Sequence, residues 1–163
     1  MVNAGYRAID SLSIEKGYPH WHQEIRMDDS PVEAGLMFTA KLKTDTDFLG
    51  RAALEQRRAA GARRKKVCFT VDSSEGVCLV GLEAILRDGE YVGHVRRGDH
   101  AYYLDKEVAY GYVNHPRGEK VTKAWLEDAE YQIESRGKLY NAEVHLKTPF
   151  DSANNRFEVL RSR

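Results

Sequence analysis

The spacing of apolar and polar residues near the start of the chain predicts a short helix that ends at Gly17. Ala8, Leu12 and Glu15 stand at positions i, i+4 and i+7, so all three lie on one face of such a helix. Glycine readily adopts the left-handed backbone conformation that commonly terminates helices. The pattern therefore predicts a helix that stops at Gly17 and buries the face formed by Ala8 and Leu12.

Glu15 does not fit this pattern, because it puts a carboxylate on the face that the helix would bury. Burying a carboxylate is costly unless hydrogen-bond donors or cations accompany it. Two interpretations remain open at this point. In the first, Glu15 lies at the end of the helix and reaches water or pairs with Arg7 or Lys16. In the second, a ligand donates hydrogen bonds to the carboxylate.

The next segment predicts one strand and one further helix. Residues 19–31 are rich in turn-forming residues, and Asp28-Asp29-Ser30 is typical of a loop or a helix cap. Residues 36–42 alternate loosely between apolar and polar positions and predict a strand. Residues 50–61 contain many strong helix formers and finish with a glycine, which predicts a helix.

The sequence changes character near residue 63, where short apolar runs replace the helical pattern. Asp88-Gly89 separates two such runs, and this pair favours the type I′ turn of a β-hairpin. We therefore predict an α+β fold with two units, a helix–strand unit over residues 1–62 and a small antiparallel sheet or barrel over residues 63–163. The predicted strands of the second unit are residues 66–71, 91–95, 109–113, 129–134 and 139–146.

Composition limits the classes of function. The chain has 163 residues, 42% of them hydrophobic, and its 25 basic and 25 acidic residues give no net charge. A chain without net charge has no general attraction for nucleic acids or anionic membranes. The apolar runs are also too short to span a bilayer. We therefore expect neither a nucleic acid nor a membrane span.

The residues with reactive side chains predict binding rather than catalysis. Cys68 and Cys78 lack the spacing of a metal site and the six histidines are scattered, so no metal site is predicted. Cys68 lies in an apolar run, and we expect it to be a buried free thiol. Motifs for nucleotide-binding loops and for a GxSxG nucleophile are absent from the sequence. No paired acid and base is recognisable either, so we predict no catalytic residue in this chain.

Several motifs in a fixed order resemble a known family. They are SLSIEKGY at residues 11–18, SPVEAGL at residues 30–36 and FLGRAAL at residues 48–54, with a tryptophan between the first two. This order resembles the folate-binding aminomethyltransferase family, which includes the T-protein of the glycine cleavage system. The resemblance covers nearly the whole chain, to about Phe157. It implies the end of an aminomethyltransferase-like α/β folate domain followed by a small antiparallel β-barrel domain.

Within this family, the chain most resembles the C-terminal part of the mitochondrial flavoenzymes that oxidatively demethylate N-methylated glycines. The resemblance rests on residues 4–18 and on VGHVRR at residues 92–97, where most relatives have a small polar pair in place of Arg96 and Arg97. It implies an intact enzyme that converts sarcosine to glycine and passes the one-carbon unit to tetrahydrofolate. The FAD of that enzyme would bind outside this chain.

The same resemblance implies a setting for the intact enzyme, which would lie in the mitochondrial matrix and pass electrons to electron-transfer flavoprotein. The family's catalytic aspartate belongs to an earlier part of the sequence, so we expect this chain to be a fragment that is inactive alone. Two alternatives remain open. One is a regulatory or scaffold protein that keeps the fold without folate chemistry, and the other is an enzyme specific for dimethylglycine.

The resemblance also implies two contacts to the pterin of folate. Glu15 matches the family glutamate that accepts hydrogen bonds from the pterin, a role that would also explain its place on the helix. The usual family arginine two positions earlier is Ser13 here. Tyr6, on the preceding turns, could lie against the pterin ring, although core packing explains a tyrosine there equally well.

Basic residues supply the remaining candidates for folate binding. Lys43 is nearest to the position of a family basic residue that would neutralise the glutamyl tail, and an exposed lysine at a strand end is the alternative. Arg97 could face the same cavity from the barrel. Arg96 and Arg156 are weaker anion-binding candidates, because arginines serve structural roles in many places.

Overall fold

The computed structural model describes residues 3–153 and residue 155, so Arg156 lies outside the described residues. Helices dominate this part of the chain before residue 63 and strands dominate after it. No helix in the described part is long and apolar enough to cross a membrane. The helices are α1 Tyr6–Lys16, α2 Pro31–Ala34, α3 Arg51–Ala60 and α4 Lys123–Glu127, with 3-10 helices at Met37–Thr39 and Ser73–Glu75.

Helix α1 confirms the predicted helix and its stop, since Gly17 has φ 80°. The predicted buried face is wrong. Leu12 is 64% exposed, whereas Ser11, Ile14 and Glu15 are buried against the barrel. The face that turns inward is chosen by hydrogen bonds to the barrel, such as that from the Ser11 hydroxyl to the His100 carbonyl at 2.7 Å. Apolar spacing alone could not reveal those partners.

The connection from α1 to the barrel differs from the prediction at one element. The helix over residues 50–61 is confirmed by α3, which ends at Gly61 with φ 78°. The strand predicted over residues 36–42 is wrong, because Met37–Thr39 forms a 3-10 helix instead. Gly35 ends α2 with φ 73°, and the barrel strands pair only with one another, so this segment has no neighbouring strand with which to form a ladder.

Six antiparallel strands form a closed barrel in the order β1-β4-β3-β2-β5-β6. This confirms the predicted α+β class with a small antiparallel barrel. The predicted hairpin is also present, since Asp88 and Gly89 both have positive φ, 51° and 80°, as a type I′ turn requires. The strands are β1 Arg64–Asp72, β2 Ala84–Arg87, β3 Glu90–Ala101, β4 Lys106–Asn114, β5 Tyr131–Ser135 and β6 Lys138–His145.

The barrel has a core on each side of its wall. The interior is filled by side chains with no exposed surface, among them Phe69, Ile85 and Ile133. A second, smaller core lies on the outer face, where Ile14 of α1 packs against a group that includes Cys68, Val108 and Tyr110. Successive residues of a strand point to opposite faces, so β1 contributes to both cores.

The two cysteines should differ in reactivity. Burial raises the pKa of the Cys68 thiol to about 12, while Cys78 is exposed and both are free. The thiolate is the reactive form, so a disulfide reagent such as Ellman's should modify one thiol rapidly at pH 8 and the second only after unfolding. Cys78→Ser should remove the rapid phase. Two rapid phases in the folded protein would contradict the burial of Cys68.

Candidate functional site

The carboxylate of Glu15 is held by the turn that joins β3 and β4. The side chain is only 3% exposed, and its Oε1 atom accepts hydrogen bonds from the backbone N–H groups of Tyr103, at 2.8 Å, and Leu104, at 2.9 Å. These two donors stabilise one oxygen of the buried carboxylate without a ligand. The interpretation in which Glu15 reaches water or pairs with Arg7 or Lys16 is wrong. Those cations pair instead with Asp99 and Asp151.

Arg97 connects three segments of the chain. Its side chain is 5% exposed, and Nη1 donates to Oε1 of the buried Glu24 at 2.9 Å. Nη2 donates to the Asp10 carbonyl at 2.7 Å and to the Ser13 hydroxyl. A further, longer hydrogen bond reaches the carbonyl of Tyr18. The guanidinium thus joins β3 to helix α1 and to the loop that follows it.

A β-bulge in strand β3 places the side chains of Arg96 and Arg97 on the outer face of the barrel. Val95 lies opposite Gly111 and Arg97 opposite Tyr110, so Arg96 is the extra residue in strand β3. In a regular strand, neighbouring side chains point to opposite faces, and Arg97 would enter the apolar interior. An extra residue resets this alternation, which places Arg96 and Arg97 on the same side.

Arg96 holds the loop before α2. Its guanidinium lies 4.9 Å from the centre of the Tyr112 ring and within 3.5 Å of Oδ2 of Asp29. Arg64 approaches the same two residues, with Nη2 3.0 Å from Oδ1 of Asp29 and the guanidinium 5.4 Å from the Tyr112 ring. The Asp29 carboxylate is thus fully buried between two cations. This network fixes the loop on the outside of the barrel.

The four predicted folate contacts are not brought together. Tyr6 is 66% exposed at the first turn of α1, about two and a half turns from Glu15 and therefore on the opposite face of the helix. One pterin ring could not contact both side chains. Lys43 is exposed in an irregular segment rather than at a strand end, and Arg97 is surrounded by the polar groups of α1 and its loop. Their roles in binding folate remain predictions.

A cleft that sequence reasoning did not find lies between the C-terminal end of α1, helix α2 and the outer face of the barrel. Its volume is about 360 Å³, and none of the four predicted contacts lines it. Lys66 and Tyr110 lie in its wall, and Gly17 lies beside them. In the described residues, no group of three histidine, cysteine or acidic side chains is placed to hold a metal ion.

The barrel and the docked helix define the class of protein. Residues 64–151 match the glycine cleavage T-protein C-terminal barrel domain, and residues 1–44 match the GCVT N-terminal domain. The first match alone spans more than half of the chain. The chain therefore belongs to the glycine cleavage T-protein family of aminomethyltransferases, as its motifs predicted.

Individual members of the family resemble this chain to different degrees. Human mitochondrial sarcosine dehydrogenase is 56% identical over 98% of this chain and 17% of that protein. Human mitochondrial dimethylglycine dehydrogenase is 37% identical over 68% of this chain and 13% of that protein. The crystal structure of the glycine cleavage system aminomethyltransferase T from Bartonella henselae has a TM-score of 0.76 and 25% identity, over 91% of this chain and 40% of that one. The chain thus spans about a sixth of the length of sarcosine dehydrogenase and about an eighth of that of dimethylglycine dehydrogenase.

Arg97 should be far more important for stability than Arg7, although both join α1 to β3. Arg97→Met leaves the buried Glu24 carboxylate without its cation, and we expect the free energy of unfolding to fall by about 3–5 kcal/mol. The Arg7 side chain is 75% exposed beside Asp99, so Arg7→Met should cost at most about 1 kcal/mol. Urea denaturation of both variants measures the difference.

A second substitution checks the origin of this effect. Adding Glu24→Gln to Arg97→Met removes the uncompensated charge and should recover part of the lost stability. Equal unfolding midpoints for Arg97→Met and Arg7→Met would show that the buried ion pair does not hold the N-terminal segment on the barrel.

Proposed function

We propose that this chain is the tetrahydrofolate-binding C-terminal part of a sarcosine dehydrogenase. The observation that carries the proposal is the 56% identity to human mitochondrial sarcosine dehydrogenase over 98% of the chain. The intact enzyme would oxidise sarcosine at a flavin bound outside these residues, release glycine and transfer the one-carbon unit to tetrahydrofolate. By the same argument it would lie in the mitochondrial matrix and pass its electrons to electron-transfer flavoprotein.

We propose sarcosine rather than dimethylglycine as the substrate because the chain is more similar in sequence to sarcosine dehydrogenase. The match to human dimethylglycine dehydrogenase is 37%, and it covers only 68% of the chain. A scaffold protein that keeps the fold without folate chemistry is the other alternative. Its support is weaker, since the mitochondrial pyruvate dehydrogenase phosphatase regulatory subunit of Mus musculus is 32% identical over 88% of this chain. The experiments below separate it from the enzyme.

The residues of this chain would frame one side of the folate cavity. Arg97 and the backbone amides of the β3–β4 turn fix the position of α1. Glu15 is the residue of that helix that we propose to bind the pterin. The amides of Tyr103 and Leu104 both donate to Oε1 of Glu15, and among the described residues no donor reaches Oε2. A carboxylate oxygen accepts up to two hydrogen bonds, so Oε2 is the atom that would bind the amino-pyrimidinone edge. Tetrahydrofolate would supply the nitrogen atoms that accept the one-carbon unit.

The isolated chain should lack flavin absorbance and sarcosine oxidation, because the proposed flavin site lies outside it. A longer protein that contains this chain should reduce an electron acceptor with sarcosine and form methylene-tetrahydrofolate when tetrahydrofolate is added. The measurements are visible absorbance after purification and product analysis with each substrate. A folded longer protein that turns over dimethylglycine but not sarcosine, or neither, would overturn the proposal.

Glu15→Gln should weaken tetrahydrofolate binding while leaving flavin reduction by sarcosine nearly intact. The glutamine oxygen can replace Oε1 and still accept hydrogen bonds from the amides of Tyr103 and Leu104. Its NH₂ group replaces Oε2 and faces donors of the pterin. Loss of such a charge-assisted pair costs about 1.5–3 kcal/mol, or roughly ten- to a hundred-fold in affinity. Titration of tetrahydrofolate into the intact enzyme measures the change.

Glu15→Ala is the matched variant, because it removes the acceptor for the hairpin as well. We expect it to melt earlier than Glu15→Gln, since the two partly buried amides of the β3–β4 turn lose their hydrogen bonds to Glu15. If Glu15→Gln folds well and binds tetrahydrofolate as tightly as the parent, then Glu15 only stabilises the β3–β4 turn. The dehydrogenase assignment would survive that result, but Glu15 would be removed from the folate site.

A further inference from the structure

The residues that line the cleft of about 360 Å³ beside the end of α1 carry an excess of positive charge. Four lysines line it against one aspartate, Asp151, which pairs with Lys16 at 2.7 Å. Among the described residues, the ammonium groups of the other three, Lys65, Lys66 and Lys147, make no ion pair and no hydrogen bond. The residues that line the cleft thus carry more positive than negative charge.

Lys66 is the most constrained of these cations. Its side chain is partly buried on the outer face of β1, where the ammonium lies 5.4 Å from the centre of the Tyr110 ring. Desolvation by burial is the largest effect on its pKa, which is lowered. Desolvation outweighs the carboxylates of Glu24 and Asp29, which favour the charged form, so an anion in the cleft would stabilise the ammonium further.

The floor of the cleft presents a buried hydroxyl. The Tyr110 hydroxyl is buried beside the Cys68 thiol and the Thr148 hydroxyl and makes no hydrogen bond of regular geometry among the described residues. A Cβ atom at Gly17 would stand 3.0 Å from that oxygen and 2.8 Å from Cβ of Thr148, so the absence of a side chain at this position keeps the space open. The hydroxyl of Thr148 is already used, since it donates to the Glu15 carbonyl at 2.7 Å.

The remaining wall of the cleft is apolar. Leu36 and Phe38 line it from the segment after α2, and Leu146 lines it from the segment after β6. Phe38 is 83% exposed, so its ring is accessible to a ligand. The volume falls in the usual range for small-molecule sites, which begins at about 300 Å³.

We propose that this cleft binds a small organic anion, a carboxylate carried on an apolar body. The carboxylate contacts the Lys66 ammonium and accepts a hydrogen bond from Tyr110, and the apolar body lies against Leu36 and Phe38. This site is separate from the four residues predicted to contact folate, and it does not depend on the proposed dehydrogenase function.

Benzoate is the probe, and benzamide, which has nearly the same shape without the charge, is its control. Each is titrated into this chain at constant ionic strength, with amide resonances followed by NMR, because salt screens exposed charges. We expect benzoate to shift the resonances of Gly17, Val67 and Leu146 saturably. Benzamide should bind at least about ten-fold more weakly, since it lacks the charge-assisted contact.

Two variants locate the charge that matters. Lys66→Met should weaken benzoate binding about ten- to a hundred-fold, and it should melt no earlier than the parent because it removes a desolvated cation. Lys138→Met is the matched control, since Lys138 also lies over a tyrosine ring, 4.5 Å from the centre of Tyr140, but outside the cleft. Its affinity for benzoate should equal that of the parent.

Several results would overturn the proposal. They are failure of benzoate to bind at tens of millimolar, equal affinity for benzamide, and unchanged affinity in Lys66→Met. Loss of binding in a longer protein that contains this chain would also overturn it, because an acidic group of the rest of that protein would then occupy the cleft. Saturable binding that depends on Lys66 in both proteins supports the site.

Discussion

The position of the N-terminal segment depends on one buried ion pair on the outside of a closed barrel. Arg97 and Glu24 are both almost fully buried, and neither charge could be accommodated there without the other. The remaining donors of the guanidinium are matched to the Asp10 carbonyl and the Ser13 hydroxyl. Because the barrel strands are joined in a closed ring, strand β3 is a rigid base from which this side chain holds both a helix and a loop.

This attachment departs from the usual arrangement of an amphipathic helix, because α1 buries Ser11 and Glu15 beside Ile14. Helix α1 directs Ser11 and Glu15 toward the barrel, where backbone groups bind them, and leaves Ile9 and Leu12 about 60% exposed. A helix normally buries its apolar face, since burial of apolar surface supplies most of the stability. The polar side chains of α1 can be buried because the barrel supplies the His100 carbonyl to Ser11 and two backbone N–H groups of the β3–β4 turn to Glu15.

Local signals predicted most of the fold, and long-range contacts account for the errors. The Asp88-Gly89 turn and the helix ends at glycine depend on backbone preferences of single residues. The local sequence is therefore sufficient to predict them. The buried face of α1 and the 3-10 helix at Met37–Thr39 depend instead on which strands are neighbours. The same limit applies to the site. Glu15 was recognisable as an anomaly, but its partners are 88 and 89 residues away in the sequence.

The contact between Ser13 and Arg97 joins two positions at which the motifs imply a departure from the family pattern. The resemblance implies an arginine where this chain has Ser13 and a small polar residue where it has Arg97. In the structure, the Arg97 guanidinium donates to the Ser13 hydroxyl, so the cation comes from the barrel strand instead of the helix. A small side chain at position 13 leaves room for it, and the β-bulge at Arg96 turns it outward. The guanidinium thus lies between helix and barrel with its donors directed to protein acceptors, which favours a structural role for Arg97 over direct contact with a ligand.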